Sequence, residues 1–376
     1  MLVRDIVPGP ASSEPDDLVV VDGVLYFTAY HPDRGRELWR SDGTFRGTRL
    51  VKDIYPGATG SGPGRMSKVG RRLFFSADHP TKSIELFVSN GKKKGTRLVK
   101  DINPAGASLP GFITAYKSKA FFLAYKPTKG SELWRSDGSA AGTTLVKDIV
   151  PGSRSSQPRY LTKVGSKLYF NAQKPGTGTE LFKTDGSRAG TQLVRDINAG
   201  PEGSDPWWFE GAKGTLYFAA THPSKGRELW MSDGTRKGTT VVKDLAPGTG
   251  SSEPQWLTRF DGVVYFSATT PTTGSELFRS DGTKRGTELV KDIYPGGIGS
   301  GPRRLTRVGS GLFFTAANAS SGTELWKSTG TRTFRVEDIR VGPVGSEPRW
   351  LTRVGKRLFF TADDGVNGRE LWMWKP

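Results

Sequence analysis

The stretch that decides the fold is ELWRSDGSAAGTTLVKDIVPG, residues 132–152. The glutamate that opens it returns at Glu37, Glu85, Glu132, Glu180, Glu228, Glu276, Glu324 and Glu370, always before Leu and an aromatic residue. The aspartate near its end keeps the same beat at Asp5, Asp53, Asp101, Asp148, Asp196, Asp244, Asp292 and Asp338. Eight repeats in 376 residues average about 47 residues each, and a fixed period of that size settles the architecture before any local reading.

Within each repeat, four short apolar or alternating runs are separated by Gly, Pro, Asp and Ser clusters, the pattern of strands and turns. In the fourth repeat the runs are Tyr160 to Val164, Leu168 to Ala172, Glu180 to Lys183 and Gln192 to Ile197. Leu168, Tyr169 and Phe170 are apolar at successive positions, so the second strand is expected to be buried on both faces. Four-stranded sheets repeated radially are propeller blades; stacked linearly they would form a solenoid with polar end caps. The chain ends decide between them. Leu2 to Ile6 reads as a lone fourth strand and residues 370–374 as a third strand with no fourth after it. Pairing them would close a ring and bury two sheet edges. The expectation is an all-β, eight-bladed propeller spanning residues 1–376 as one domain.

The repeated string, generalised as ELWxSDGTxxGTxLVKDIxPG, resembles the tandem repeat of a family of bacterial proteins mostly without assigned function. The resemblance implies a repeat architecture and an exported or surface setting, and it transfers no catalytic residue. Two departures stand out: Ile84 before Glu85, and a shortened seventh turn from Ser328 to Phe334 that lacks the Asp.

Composition narrows the chemistry. With no cysteine, a disulfide scaffold, a thiolate nucleophile and a Cys-ligated metal site are excluded. No run of about 18 apolar residues suggests a membrane-spanning helix. The repeated Glu and Asp read as structural: the Asp caps the following turn, the Glu pairs with a basic neighbour on the adjacent strand. A calcium ion in each blade lacks a ligand-dense loop. The Ser-Asp-Gly-Thr element is turn chemistry rather than a phosphate cradle. Trp39, Trp134, Trp230, Trp326 and Trp372 alternate with Phe87, Phe182 and Phe278 at one repeat position and are expected to pack between blades.

Positions that diverge while staying large or charged are the functional candidates. The two residues after the Pro that opens each first strand include Phe112, Arg159, Tyr160, Trp207, Trp208, Trp256, Arg303, Arg304, Arg349 and Trp350. These are expected around a channel mouth, where aromatic faces stack on sugars and guanidinium groups grip anions. Asp16 and Asp17, in the same position of the first repeat, are the paired acids nearest to an acid-base site. His31, His79 and His222 share one loop position in repeats one, two and five, and are not expected to converge on a metal. The opposite turns are basic: Arg71, Arg72, Lys92, Lys93, Lys94, Arg236, Lys237, Lys284, Arg285, Lys356 and Arg357 contribute to a net charge of +18, suited to polyanions.

The expected function is therefore non-catalytic binding of a carbohydrate or peptide at the aromatic lip, with anionic polymer on the basic face. The chain is expected to act as a monomer, without cofactor or metal. A structural or protein-docking scaffold is the alternative.

Overall fold

Apolar runs that alternate or persist for six to eight residues, bounded by Gly and Pro, can bury their side chains only by pairing into sheets stacked on sheets. The computed structural model describes residues 4–8, 13–366 and 369–375. They form antiparallel sheets in sequence order, seven with four strands and one with three, the blades of an eight-bladed β-propeller. Blade four consists of strands Arg159–Val164, Lys167–Lys174, Gly178–Thr184 and Gln192–Arg195. Its second strand is buried on both faces: Leu168, Tyr169 and Phe170 are all 1% exposed or less. The chain divides into two compact units, residues 1–176 with 182–193, and residues 177–181 with 194–376. Among the described residues no helix is long and apolar enough to cross a membrane.

The core lies between neighbouring blades. Val88, Val99 and Ile102 of blade two pack with Phe122, Ala124 and Trp134 of blade three, and Tyr265 and Leu277 of blade six pack with Phe314 and Trp326 of blade seven. The Trp and Phe that follow Glu-Leu are thus packing residues, as their periodicity implies.

Fourth strands end at their Lys or Arg, as in Arg97–Lys100, so the aspartate lies beyond the strand. The C-terminal bound of the expected closing strand Leu2–Ile6 is corrected accordingly. Arg4, Asp5 and Ile6 correspond to Lys100, Asp101 and Ile102 and are not in a strand, while Leu2 and Val3 lie outside the described residues. In seven repeats the basic residue at this position makes a link to the next blade. Arg4, Lys52, Lys100, Lys147, Arg195, Lys243 and Lys291 donate to the carbonyls of Thr48, Thr96, Thr143, Thr191, Thr239, Thr287 and Thr333 at 2.5–3.0 Å.

The two repeated carboxylates exchange the roles expected of them. Glu132 is fully buried and accepts the amides of Ile149, Val150 and Ser156 and the Ser156 hydroxyl, at 2.6–3.4 Å. Glu37, Glu85, Glu180, Glu228, Glu276 and Glu324 are also fully buried, and each hydrogen-bonds the serine that precedes the next blade. The glutamate therefore ties down the connection to the following blade instead of pairing with a basic neighbour on the adjacent strand. The aspartates make the ion pairs instead: Asp53 with Arg34, Asp101 with Lys82, Asp148 with Lys129 and Asp244 with Lys225, at 2.8–3.3 Å. Strand alternation misleads here because the glutamate's partners come from a connection some 24 residues away.

The turn chemistry follows expectation. Asp137 Oδ1 accepts the amide and hydroxyl of Ser139, with Gly138 at φ 90°. The shortened seventh turn closes with a Thr329 amide bonded to the Arg332 carbonyl.

Burial pushes Glu132 and Glu180 up to about 7, against hydrogen bonds that pull the other way. An unfolded glutamate titrates near 4.5, so the native chain binds more protons between about pH 4.5 and 7. This stabilising term is complete below the unfolded pKa and is lost as pH rises through about 7. Urea midpoints are expected to fall from pH 5 to pH 8. At pH 7, Glu132→Ala is expected to cost about 3 kcal/mol or more, because it leaves several buried donors without an acceptor; chemical denaturation measures both effects.

Candidate functional site: a lip of left-handed residues

Each blade enters its first strand through a Ser-x-Pro segment, held in blades two to eight by the buried glutamate, and the strand then bulges. In blade seven Arg303 pairs with Thr315 and Thr306 with Phe313, so one extra residue sits in the first strand. Such a bulge bends the strand and re-aims a side chain. The second residue of every first strand takes positive φ: Asp17, Arg65, Phe112, Tyr160, Trp208, Trp256, Arg304 and Trp350, between 52° and 57°. That region costs a residue with a Cβ about 1–2 kcal/mol and is the usual place for glycine. None of the eight is glycine.

A threonine two residues on supports this geometry. Thr162, Thr258, Thr306 and Thr352 donate their hydroxyls to the carbonyls of Tyr160, Trp256, Arg304 and Trp350 at 2.7–3.0 Å. A second left-handed position precedes the proline, occupied by Glu14, Leu109, Gln157, Asp205, Glu253 and Glu347, and by Gly62 and Gly301 in the remaining blades. Sequence reasoning missed this set. Its one signal is the residue between Ser and Pro in every repeat, whose side-chain direction depends on a backbone angle that only glycine would have advertised.

The expected lip residues divide into two groups. Trp208 and Trp256 are half-buried, with ring centroids 4.7 Å apart, and pack onto the interblade cores. Trp207 lies 6.1 Å from Trp208, beneath the Arg227 guanidinium at 5.3 Å. In contrast, Trp350 is 78% exposed, while Phe112 and Tyr160 are 41% and 42% exposed and meet edge to face at 5.7 Å. Arg159, Arg303 and Arg349 are exposed, and Arg304 is half-buried. In the second unit, Trp256, Arg303 and Arg304 line a cavity of about 430 Å³ together with Glu253, Gln255, Glu347 and the hydroxyls of Ser267, Thr269 and Thr315.

The other candidates have local roles. Asp17 Oδ2 accepts the Met66 amide at 3.1 Å and Asp16 Oδ1 the Asp17 amide at 2.8 Å, so this pair of acids caps backbone. His31, His79 and His222 each accept an amide of their own hairpin turn through Nδ1 at 3.3 Å. Among the described residues no group of three His, Asp or Glu side chains is placed to hold a metal ion. On the opposite turns, Lys92, Lys93, Lys94, Arg236, Lys237, Lys284, Arg285, Lys356 and Arg357 are exposed. Arg71 pairs with Asp22 at 3.0 Å, and Arg72 folds its guanidinium over the Phe74 ring at 5.5 Å.

No protein-family model matches the chain, and no curated protein does. Solved structures do. Prolyl oligopeptidase B from Galerina marginata is 12% identical with a TM-score of 0.51, over 94% of this chain and 55% of that one. A structure from work on two prolyl endopeptidases is 10% identical with a TM-score of 0.50, over 93% and 54%. The β-propeller domain of the Trilobed protease from Pyrococcus furiosus is 10% identical with a TM-score of 0.42, over 87% and 98%. This chain thus spans little more than half the length of the first two, and the likeness is one of fold.

The division among the tryptophans has a measurable consequence. Trp208→Ala is expected to lower stability by about 2 kcal/mol or more, because it empties a packed position. Trp350→Ala should stay within about 0.5 kcal/mol of the parent, and paired urea titrations check the contrast.

Proposed function

We propose that this chain is a non-catalytic binding protein whose ligand rests on the lip of left-handed residues, and that the ligand is a glycan. One observation carries the reading: eight blades hold a non-glycine residue at a backbone angle that favours glycine. Strain of this kind persists where the side chain it aims is needed. The chemistry around the second unit's cavity suits a polyol. An indole face such as that of Trp256 covers the C–H face of a sugar ring, while Glu253, Glu347, Gln255 and Arg303 supply acceptors and donors for its hydroxyls. The resemblance of the repeat to exported bacterial proteins supports the same setting. A peptide ligand uses the same lip, and a scaffold role predicts silence toward small ligands.

A glycan array probed with the purified chain is expected to give signal that survives moderate salt. Trp350→Ala and Arg304→Ala should each weaken the best hit about tenfold or more. Unchanged binding by both variants overturns the reading.

A second reading rests on the exposed Lys92, Lys93 and Lys94 around the short helical turn at Lys93–Gly95. The basic turns bind anionic polymer without reading its sequence. Changing all three to Glu is expected to shorten retention on heparin, with a steep salt dependence in the parent. Equal retention of parent and variant contradicts it.

A further inference from the structure

The notch between successive first strands recurs in the first unit with different chemistry. There, a cavity of about 640 Å³ is lined by Arg65, Met66, Leu109, Phe112, Leu123 and Arg159, among others. Two of these residues, Leu109 and Leu123, break the repeat, and both belong to blade three. At the fifth position of the second strand, Leu123 replaces the Thr28, Ser76, Asn171, Ala219, Ser267, Thr315 and Thr361 of the other blades. Before the proline, Leu109 stands where the other blades carry acids, Gln or Gly. At the left-handed position of the first strand stands Phe112, at φ 53°.

The two apolar replacements and Phe112 converge on one cavity although they are separate in sequence, and Leu109 and Phe112 are 46% and 41% exposed. A leucine at φ 49° with nearly half its surface in solvent gains little from packing, so its place in a cavity wall is its clearest use. The cationic partners are set beside it. Arg65 Nη1 donates to the Pro110 carbonyl at 3.2 Å, which lays the guanidinium against Gly111, where an added Cβ would come within 3.2 Å of it. Arg159 Nη2 donates to Gln157 Oε1 at 2.5 Å. Among the described residues no Asp or Glu lines this cavity, whereas Glu253 and Glu347 line its counterpart in the second unit.

We propose that this notch is a binding site for an apolar molecule ending in a carboxylate. The apolar body occupies the space between Leu109, Phe112 and Leu123, and the carboxylate is held by the Arg65 and Arg159 guanidinium groups, whose fork matches its two oxygens. A peptide with a hydrophobic C-terminal residue and a free fatty acid share this chemistry.

Calorimetric titration of the full chain with decanoate, with acetyl-Ala-Leu-Phe as the free acid, and with the amide of that peptide separates the sources. Saturable binding of one acid is expected, and a peptide hit should weaken about tenfold in the amide. Leu123→Thr, which installs the residue that blade seven already carries, should weaken the bound acid about tenfold. Arg65→Gln should remove the preference for the charged ligand. The proposal is overturned if neither acid saturates below about 1 mM, if acid and amide bind equally, or if Leu123→Thr has no effect. The second unit's cavity contains neither Leu123 nor Arg65, so glycan binding there and this proposal fail separately.

Discussion

A carboxylate taken out of water and surrounded by donors is the interaction on which the blades depend. Burying such a group costs several kcal/mol unless its oxygens are satisfied, and here the donors come from the segment that leads into the next blade. Glu276 shows the pattern: it accepts the amides of Ile293, Tyr294 and Ser300 and the Ser300 hydroxyl at 2.6–3.2 Å. One side chain thereby holds both ends of a connection whose own backbone pairing is a single parallel bridge, Ser275 with Gly299, and a Gly301 amide bonded to the Ser275 carbonyl. Backbone amides in that connection would otherwise be buried without acceptors, a comparable penalty on the other side of the same contact.

Once the connection is fixed, the entry to the next first strand is fixed with it. The serine bonded to the glutamate is followed by the left-handed residue, the proline and the bulge, in the same order in blades two to eight. The conformation is therefore determined by what precedes it rather than by the lip residue itself. That leaves the side chain at the bulge free to be Asp, Arg, Phe, Tyr or Trp without altering the frame. The two notches illustrate the freedom. Each notch holds two arginines, but Thr315 and Glu347 of the second unit's cavity correspond to Leu123 and Gln157 of the first unit's, which has an apolar wall and no carboxylate.

Much of this was legible in the sequence, since the beat of Glu37 to Glu370 and the unbroken apolar run at Leu168 to Phe170 specify blades packed on both faces. The limits of the reading have physical causes. Neighbour arguments along a strand assigned a basic partner to each glutamate and the turn amides to each aspartate; the true partners are brought together by the connection between blades. Divergence among repeats located Trp208, Trp256 and Trp350 equally well. It did not separate the first two, which cover apolar cores, from the third, which stands in solvent. The set led by Glu253 and Glu347 escaped notice because a glutamate before proline shows no sign of the positive φ it adopts.

The central claim is that the exposed lip residues, unlike Trp208 and Trp256, are not what holds the blades together. The most direct measurement is the urea midpoint of a chain in which Phe112, Tyr160 and Trp350 are all changed to glycine. The account predicts a midpoint equal to or above that of the parent, because relief of about 1–2 kcal/mol of strain per site outweighs or offsets the extra freedom glycine gives the unfolded chain. A midpoint well below the parent's would contradict it, and would make the lip a structural part of the blade.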